Sequence, residues 1–267
     1  MLPAHEEQQF NLFWNVQLWL EGFPSYMGLK DLFAAAADFF FPPQCLLCRK
    51  SLSALDEAYF CAPCRGKFSY ISGPLCPRCG IPFVSQEGAD HLCSRCIGRA
   101  PLFDRARAVG EYDGSLRTAI HRFKYDCRSL LAEPLGHLLA DRGRQLLKSD
   151  AYDVVLPVPL HPRRLRQRGF NQSLFLARQV GQQWGIPVET EGLKRIRWTD
   201  PQTMLPVKER MHNVRGAFVY SGRGVENRAV VLIDDVYTSG STVDECAKVL
   251  KRSGAKRVDV LTVARTI

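Results

Sequence analysis

The sequence lacks the features that direct a protein into or across a membrane. No Lys or Arg stands ahead of its first apolar stretch, where a secretory signal needs basic residues and this chain has His5, Glu6 and Glu7. The aromatic-rich stretch from Phe10 to Phe23 is interrupted by amide side chains and a glutamate, and it is too short to span a bilayer. We therefore expect no transmembrane segment and a cytoplasmic location, with any association at the inner membrane made through partners.

Acidic residues are few relative to basic ones. The 267 residues include 36 Lys and Arg against 27 Asp and Glu, which gives a formal net charge of +9 and a pI of about 9.1. Residues 1–44 hold five of the acidic side chains and a single basic one, so the positive charge is concentrated in the rest. With 46% hydrophobic and 24% charged residues, the composition excludes a wholly disordered, collagen-like or coiled-coil chain. The charge predicts an anionic partner, whether nucleic acid, a phosphorylated metabolite or an anionic membrane surface.

The chain divides into three regions of different composition. Residues 1–30 are aromatic and acidic and form a poorly defined extension. Residues 31–99 begin with a short apolar helix over 31–41, stopped by two prolines, and then hold all the paired cysteines. Residues 103–267 alternate strand and helix patterns, which predicts an α/β domain with a parallel sheet flanked by helices. The expected strands are 108–112, 153–158, 229–234 and 258–263, and the expected helices are 116–125, 130–147, 172–184 and 242–253.

Eight of the ten cysteines form four Cys-x-x-Cys pairs. Two such pairs on tight turns can place four thiolates around one Zn²⁺ ion, so the segment predicts two structural zinc sites. Thioredoxin-type redox chemistry is disfavoured because no strand–helix–strand pattern surrounds any pair. The spacing allows either a sequential or a cross-braced grouping, and we favour the sequential one. The expected ligands are Cys45, Cys48, Cys61, Cys64, Cys76, Cys79, Cys93 and Cys96.

The second informative motif is an apolar run that ends in Asp234 and Asp235 and continues into a loop of small hydroxylated residues before a helix. At the carboxyl end of a parallel strand, such a loop turns its N–H groups outward and the next helix presents its positive N-terminus, which suits a phosphate monoester. A Walker A loop is excluded because the sequence has no Gly-x-x-x-x-Gly-Lys. The two carboxylates would face the vicinal hydroxyls of a sugar, with Mg²⁺ nearby. The loop consists of Thr238, Ser239, Gly240, Ser241 and Thr242.

This motif resembles the phosphoribosyl pyrophosphate (PRPP) binding motif of type I phosphoribosyltransferases. Residues 32–266 as a whole resemble one branch of these proteins, the competence protein F (ComF) family. Besides the paired cysteines, the resemblance rests on Phe103–Arg107, His121–Tyr125, Pro157–Arg164, Arg168–Gln172, Gln202, Glu209–Arg210, Asn213–Val214 and Ala217–Phe218. It implies a type I phosphoribosyltransferase-like parallel sheet flanked by helices and preceded by a small zinc-ribbon module.

The resemblance also implies roles for individual residues. Asp234 and Asp235 would bind the ribose 2′- and 3′-hydroxyls, residues 238–242 would hold the 5′-phosphate, and Mg²⁺ would accompany PRPP. Residues 199–218 match a flexible loop that closes over the bound ligand. The pyrophosphate loop would consist of Pro159, Leu160 and His161.

The ComF family is associated with the handling of incoming single-stranded DNA during natural transformation. The resemblance therefore implies a PRPP-binding protein that works with single-stranded DNA and the DNA-uptake machinery. The alternative is an active phosphoribosyltransferase in nucleobase or nucleotide salvage, with an unknown acceptor. In the 6-oxopurine enzymes, an acidic residue three positions after the second carboxylate is assigned to proton transfer at the base. Thr238 stands there in this chain and cannot act as a base near pH 7, so we expect no appreciable turnover of hypoxanthine or guanine.

A cluster of arginines follows the expected pyrophosphate loop: Arg163, Arg164, Arg166 and Arg168. Guanidinium groups pair well with phosphate oxygens, so contacts to pyrophosphate or to DNA compete with the role of a solvated surface. Phe170, next along the chain, suits either a base-stacking platform or a core anchor. Lys124 could reach a phosphate, although an exposed helical lysine is the usual case.

Overall fold

The computed structural model describes residues 42–53, 59–85, 87–125, 129–147, 152–199 and 212–267. The expected N-terminal extension, the expected helix over 31–41 and the central part of the expected flexible loop lie outside the described residues. None of the helices in the described part of the chain is long and apolar enough to cross a bilayer.

The described residues form short helices in the cysteine region and alternate strands and helices after it. The strands are β1 (Arg105–Glu111), β2 (Val154–Pro157), β3 (Leu193–Arg195), β4 (Phe218–Tyr220), β5 (Ala229–Tyr237) and β6 (Arg257–Arg265). The helices are α1 (Ala62–Arg65), α2 (Ser94–Gly98), α3 (Gly114–Tyr125), α4 (Ala132–Leu147), α5 (Pro162–Arg168), α6 (Gln172–Trp184) and α7 (Ser241–Arg252). A 3₁₀ turn (Ser129–Leu131) leads into α4.

The four longer strands form one parallel sheet in the order β1-β6-β5-β2. Nearly every residue of β5 and β6, the two central strands, is buried, as expected for apolar runs covered on both faces. β5 continues to Tyr237, three residues past its predicted end, because its ladder with β6 extends to the pair Tyr237 and Arg265. The parallel α/β fold expected from the sequence is confirmed.

Alternate residues of the central strands separate two apolar cores. Val231 and Ile233 belong to the core under α4 and α6, whereas Val230 and Leu232 belong to the core under α7. The cysteine region divides in the same way. Buried residues of its first two Cys-x-x-Cys pairs join the first core, and those of the last two pairs join the second. The two halves of the cysteine region therefore pack on opposite faces of the sheet.

The sequence did not predict α5 or the small antiparallel sheet of β3 and β4. α5 reads Pro-Arg-Arg-Leu-Arg-Gln-Arg, and a helix that is polar nearly all round has no apolar periodicity to reveal it. Its start is set by Pro162 and by the ring Nδ1 of His161, which accepts a hydrogen bond from the backbone N–H of Arg163 at 3.2 Å. Its end is set by the left-handed Gly169. β3 and β4 are too short for their alternation to stand out.

Candidate functional site

A cleft of about 350 Å³ opens at the carboxyl ends of β2 and β5, which are neighbours in the sheet. Strand ends at such a position are where open α/β sheets place their ligands. The polar lining comes from the end of β5 and the turn after it, from α3, α5 and the start of α6, and from the end of β3. Its charged and amide side chains are Lys124, Arg164, Arg168, Gln172, Arg195, Asp234 and Asp235.

The two carboxylates at the floor of the cleft lie in different environments. One carboxylate oxygen of Asp234 accepts hydrogen bonds from the Ser173 hydroxyl at 2.9 Å and from the backbone N–H of Asp235 at 3.0 Å. The pKa of Asp234 is raised to about 7. The larger cause is burial away from water, and the second is the charge of the neighbouring Asp235. Asp235 instead pairs with the ammonium group of Lys124 at 3.0 Å. The two carboxylates are therefore not equivalent: Asp235 is ion-paired, whereas Asp234 titrates near neutral pH.

Lys124 is not the exposed helical lysine that is the usual case for such a sequence. Its side chain is only 16% exposed, and it points from the last turn of α3 to Asp235. The ammonium group therefore lies at the floor of the cleft and not on a solvated helix face. The apolar pattern of α3 is the sequence signal for this position. Phe123, the residue before Lys124, is fully buried, so this end of the helix lies against the sheet.

The loop after β5 has two faces. Thr238 and Thr242 line the cleft, whereas Ser239, Gly240 and Ser241 line a separate cavity of about 220 Å³ behind it. The hydroxyls of Ser239 and Ser241 lie 2.9 Å apart, and Gly240 makes the turn with a φ of 78° before α7 begins. The five expected phosphate-loop residues thus lie together at a helix N-terminus, with only part of their side chains facing the cleft.

The expected pyrophosphate loop is divided by the start of α5. Pro159 and Leu160 line the cleft opposite the carboxylates. His161 does not, because its ring caps α5 and lies edge-on to Trp198, with 5.3 Å between the ring centroids. Of the three residues predicted for this loop, the structure thus brings two to the cleft, and the ring of His161 caps a helix.

The arginine cluster is split by the geometry of α5. Arg164 and Arg168, one helical turn apart, are half-buried and line the cleft, whereas Arg163 and Arg166 are exposed outside it. Arg168 is held in place by a hydrogen bond from Nη1 to Oε1 of Gln172 at 3.1 Å. The structure therefore divides the cluster into two arginines that face the cleft and two that do not.

Two further cleft residues were not singled out from the sequence. Gln172 is 1% exposed, and its Nε2 has no hydrogen-bond partner within the described residues. Arg195, at the end of β3, donates from Nη2 to the Thr199 hydroxyl, while its buried Nε has no partner within the same residues. Buried donors without partners are costly, so both groups are suited to meet ligand oxygens. Arg195 lies in a short polar strand, where its sequence offers no signal.

Phe170 is half-buried and packs against the first core. Its ring packs against Phe123 and Phe175, at centroid distances of 5.6 Å and 5.4 Å. The exposed aromatic ring beside the cleft is Tyr125, which is 59% exposed and has the guanidinium of Arg168 5.2 Å from its centroid.

The eight paired cysteines form two clusters. The first cysteine cluster is Cys45, Cys48, Cys61 and Cys64, and the second is Cys76, Cys79, Cys93 and Cys96. Within each cluster the sulfurs lie within 4.8 Å of one another, with Sγ–Sγ distances of 3.6 Å (Cys48 to Cys61) and 3.7 Å (Cys79 to Cys93). Four sulfurs about 2.3 Å from a tetrahedral Zn²⁺ are about 3.8 Å apart, so both clusters fit the ion. The grouping is the sequential one.

Backbone N–H groups favour the thiolate form that a metal needs. Burial raises the pKa of Cys76, but the N–H groups of Cys79, Cys93 and Arg78 more than offset it and bring the value down to about 6. The pKa of Cys45 falls to about 6 in the same way. Each cluster therefore has one sulfur prepared for metal binding, and four protein ligands leave no open position for catalysis.

Comparison with known proteins places the chain in a family. Residues 36–97 match the double zinc ribbon domain. The DNA utilization protein YhgH of Escherichia coli O157:H7 is 35% identical over 230 residues, which cover 85% of this chain and 98% of that protein. Competence protein F of Haemophilus influenzae is 32% identical, with the same coverage. The chain belongs to the competence protein F (ComF) family. The resemblance expected from the motifs is thus confirmed, and a more distant ComF member, competence protein ComFC of Streptococcus pneumoniae, is 27% identical over 83% of this chain and all of its own length.

Solved structures with local similarity include two enzymes. The allosteric regulatory enzyme of purine biosynthesis is 26% identical over 49% of this chain, and glutamine PRPP amidotransferase from B. subtilis is 27% identical over 48%. The TM-score is 0.33 for each. This ComF chain spans about a quarter of the length of either enzyme.

Proposed function

We propose that this protein binds PRPP, accompanied by Mg²⁺, in the cleft at the carboxyl ends of β2 and β5. The observation that carries the proposal is the order of groups along one strand–loop–helix unit. Asp234 and Asp235 lie in the last half of β5, and the loop 238–242 follows the strand and leads into the N-terminus of α7. The ribose hydroxyls would donate to the carboxylates, and the 5′-phosphate would accept from the loop N–H groups.

The charges opposite the carboxylates suit the diphosphate end of the same ligand. Arg164, Arg168 and Arg195 converge on the cleft, and guanidinium groups bind phosphate oxygens in bidentate fashion. The amide of Gln172 and Nε of Arg195 supply buried donors that such oxygens would satisfy. Mg²⁺ would neutralise part of the diphosphate charge, since this ion prefers phosphate and water oxygens.

Titration calorimetry with PRPP, with and without Mg²⁺, tests the proposal. A ligand at 100 times its Kd stabilises the folded state by about 2.7 kcal/mol, so PRPP should raise the thermal unfolding midpoint. The double variant Asp234→Asn/Asp235→Asn should abolish this shift, because both acceptors for the ribose hydroxyls lose their charge. Asp141→Asn, on the exposed face of α4, is the matched control. Undiminished stabilisation in the double variant would overturn the proposal.

The affinity for PRPP should fall when the pH is lowered from 8 to 6. With a pKa of about 7, Asp234 is mostly ionised at pH 8 and mostly protonated at pH 6, so a site that needs the carboxylate loses about tenfold in affinity. The stability of the free protein moves the other way. Folding raises this pKa from 3.8, so the contribution of Asp234 is complete below about pH 4 and is lost as the pH rises through about 7. Calorimetry of Asp234→Asn across the same range isolates the titration of the ligand itself.

We propose further that the outer side of α5 contacts single-stranded DNA. Arg163 and Arg166 are exposed there, and Trp198 lies beside them, with the Arg163 guanidinium 6.0 Å from its ring centroid. Tyr125 offers an exposed ring at the other end of the helix, next to Arg168. Cations interleaved with aromatic rings bind the backbone and the bases of single strands without a sequence code.

Salt dependence separates the two arginine pairs. On single strands the logarithm of the affinity falls with a slope of about −0.7 for each phosphate contacted. Arg163→Ala/Arg166→Ala should flatten that slope by about 1.4 and leave PRPP binding intact. Arg164→Ala/Arg168→Ala should instead weaken PRPP binding. A slope that stays the same in the first double variant would return these two arginines to a solvated surface.

Turnover is tested by pyrophosphate release. Thr238 lines the cleft at the position where the 6-oxopurine enzymes carry their acid–base residue, and a positioned carboxylate is worth about 10²–10⁴ in rate. We expect pyrophosphate release with hypoxanthine or guanine to stay at background. Release at ordinary enzyme rates, with a nucleobase panel or with DNA as the acceptor, would favour an active transferase.

A further inference from the structure

The back of the phosphate loop lies against the second cysteine cluster. The cavity behind the loop is lined on one side by Ser239, Gly240 and Ser241 and on the other by Cys79 and Cys96. Two aromatic rings fill the space between them at its base. Phe103 and Tyr237 meet edge-to-face with 6.2 Å between their centroids, and both are buried. The loop and the cluster therefore share one wall.

Tyr237 is the residue that joins the loop to the cluster. It ends β5, one position before the loop, and it is 4% exposed. A Cβ on Gly240 would lie 2.2 Å from the Tyr237 hydroxyl oxygen and 2.6 Å from its Cζ, so the turn of the loop rests directly on this ring. The hydroxyl accepts a hydrogen bond from Arg95, which lies between Cys93 and Cys96, at 3.2 Å. Movement of the ring in either direction would displace the loop or the cluster.

Arg265 makes the same connection from the other side. Its guanidinium lies 4.9 Å from the centroid of the Tyr237 ring, and its Nη1 donates to the backbone carbonyl of Cys79 at 2.5 Å. The side chain is 2% exposed, so this contact is shielded from water. A cation–π contact is strongest when water is excluded from it, so this one fixes the orientation of the ring. The carbonyl belongs to a knuckle turn whose shape depends on the bound metal.

We infer that Tyr237 and Arg265 are positioning residues that hold the 5′-phosphate loop against the second cysteine cluster, so that Zn²⁺ in this cluster sets the affinity for the phosphoribosyl end of PRPP. The inference rests on the proposed PRPP site. It makes the second cluster part of the binding site, although none of its cysteines lines the cleft. The first cluster has no such contact within the described residues, since its knuckle is held by Arg122 of α3, which donates to the carbonyls of Leu46 and Leu47 at 2.8 and 2.7 Å.

Two fragments of the ligand test the inference. Ribose 5-phosphate probes the loop, and pyrophosphate probes the arginines on the far side of the cleft. In the zinc-loaded protein, Arg265→Gln should weaken ribose 5-phosphate by about tenfold, roughly one charge-assisted hydrogen bond, and leave pyrophosphate unchanged. Arg122→Gln, which cuts the equivalent contact at the first cluster, should change neither affinity even if it lowers the unfolding midpoint. A general loss of structure would weaken both fragments together.

Conservative rescue and hydrogen exchange complete the test. Tyr237→Leu should reproduce the effect of Arg265→Gln, whereas Tyr237→Phe keeps the ring under the loop and should retain most of the affinity. Amides of residues 238–242 should exchange faster in Arg265→Gln than in Arg122→Gln, whether or not any ligand is present. Equal exchange in the two variants, or equal losses for both fragments, would overturn the inference. A wild-type protein that binds neither fragment, yet shows the difference in exchange, would contradict the proposed PRPP site and leave the coupling of loop and cluster supported.

Discussion

The two cysteine clusters are built from the same motif and lie in different settings. Each has two Cys-x-x-Cys turns, and each receives an arginine of the α/β part at the backbone of its first turn, Arg122 in one case and Arg265 in the other. The first cluster packs on the face that carries α3 and α4, whereas the second packs on the face that carries α7 and the loop 238–242. The same cysteine motif therefore lies in two different environments, because its two copies pack on opposite faces of the sheet.

Burial differs between the clusters as well. In the second cluster Cys76, Cys79 and Cys96 are buried, whereas in the first cluster Cys48 is exposed and Cys64 is half-buried. Accessible thiolates exchange metal and react more readily than buried ones. The comparison indicates that the first cluster is partly open to solvent, whereas the second is enclosed behind the loop 238–242.

Removal of zinc should have the largest effect and should show most clearly whether the two clusters differ. We expect about two Zn²⁺ per chain in protein purified under reducing conditions, and a colorimetric chelator should release them in two phases, the faster from the first cluster. The binding energy of structural zinc, about 10–16 kcal/mol, is folding energy for the segment that binds it, so removal of the metal should unfold mainly residues 45–98. Cys45→Ser and Cys76→Ser identify the phases.

Release in a single phase, or fast release that survives Cys45→Ser, would contradict the difference in burial. A folded protein with no zinc and eight free thiols would remove the basis of the comparison altogether.

Replacing one buried aromatic ring beside each cluster should have an effect of intermediate size and show whether the two clusters differ in their influence on PRPP binding. Phe68 packs near the first cluster, 5.5 Å from the ring of Phe60, and Phe103 is fully buried between the second cluster and Tyr237. Loss of either ring should cost about 3–5 kcal/mol of stability, measured by denaturant unfolding. Only Phe103→Ala should also weaken PRPP binding. Equal effects of the two variants on PRPP affinity would mean that stability alone controls the cleft.

The smallest expected effect concerns a surface contact of the first half of the cysteine region. The guanidinium of Arg142 in α4 lies 4.3 Å from the centroid of the Tyr70 ring. An exposed cation–π contact is worth about 0.5–1 kcal/mol, so Arg142→Ala should lower the unfolding free energy by that amount and leave PRPP affinity unchanged. Arg142→Lys, which keeps the cation, should recover part of the loss. A change in PRPP affinity in either variant would show that the first half of the cysteine region also acts on the cleft.

Much of the fold could be predicted because its signals are local. The apolar runs of β5 and β6 are continuous and long enough to indicate buried parallel strands, and the helical patterns of α3, α4, α6 and α7 lie close to their observed bounds. α5 was not predicted because its seven residues are almost all polar and show no apolar periodicity. The short strands β3 and β4 were not predicted either, because three residues are too few to show an alternation of apolar and polar side chains. β3 supplies Arg195 to the cleft.

The sequence by itself determined which chemistry the chain carries: four thiolate pairs, two adjacent carboxylates at a strand end, a small hydroxylated loop and a run of arginines. These follow from residue type and spacing, which the chain carries without folding. Only the tertiary structure decided how they combine. The helical turn of α5 sends Arg164 and Arg168 into the cleft and leaves Arg163 and Arg166 outside it. The alternation of the central strands places the two cysteine clusters on opposite faces, because successive side chains of a strand must point to opposite sides.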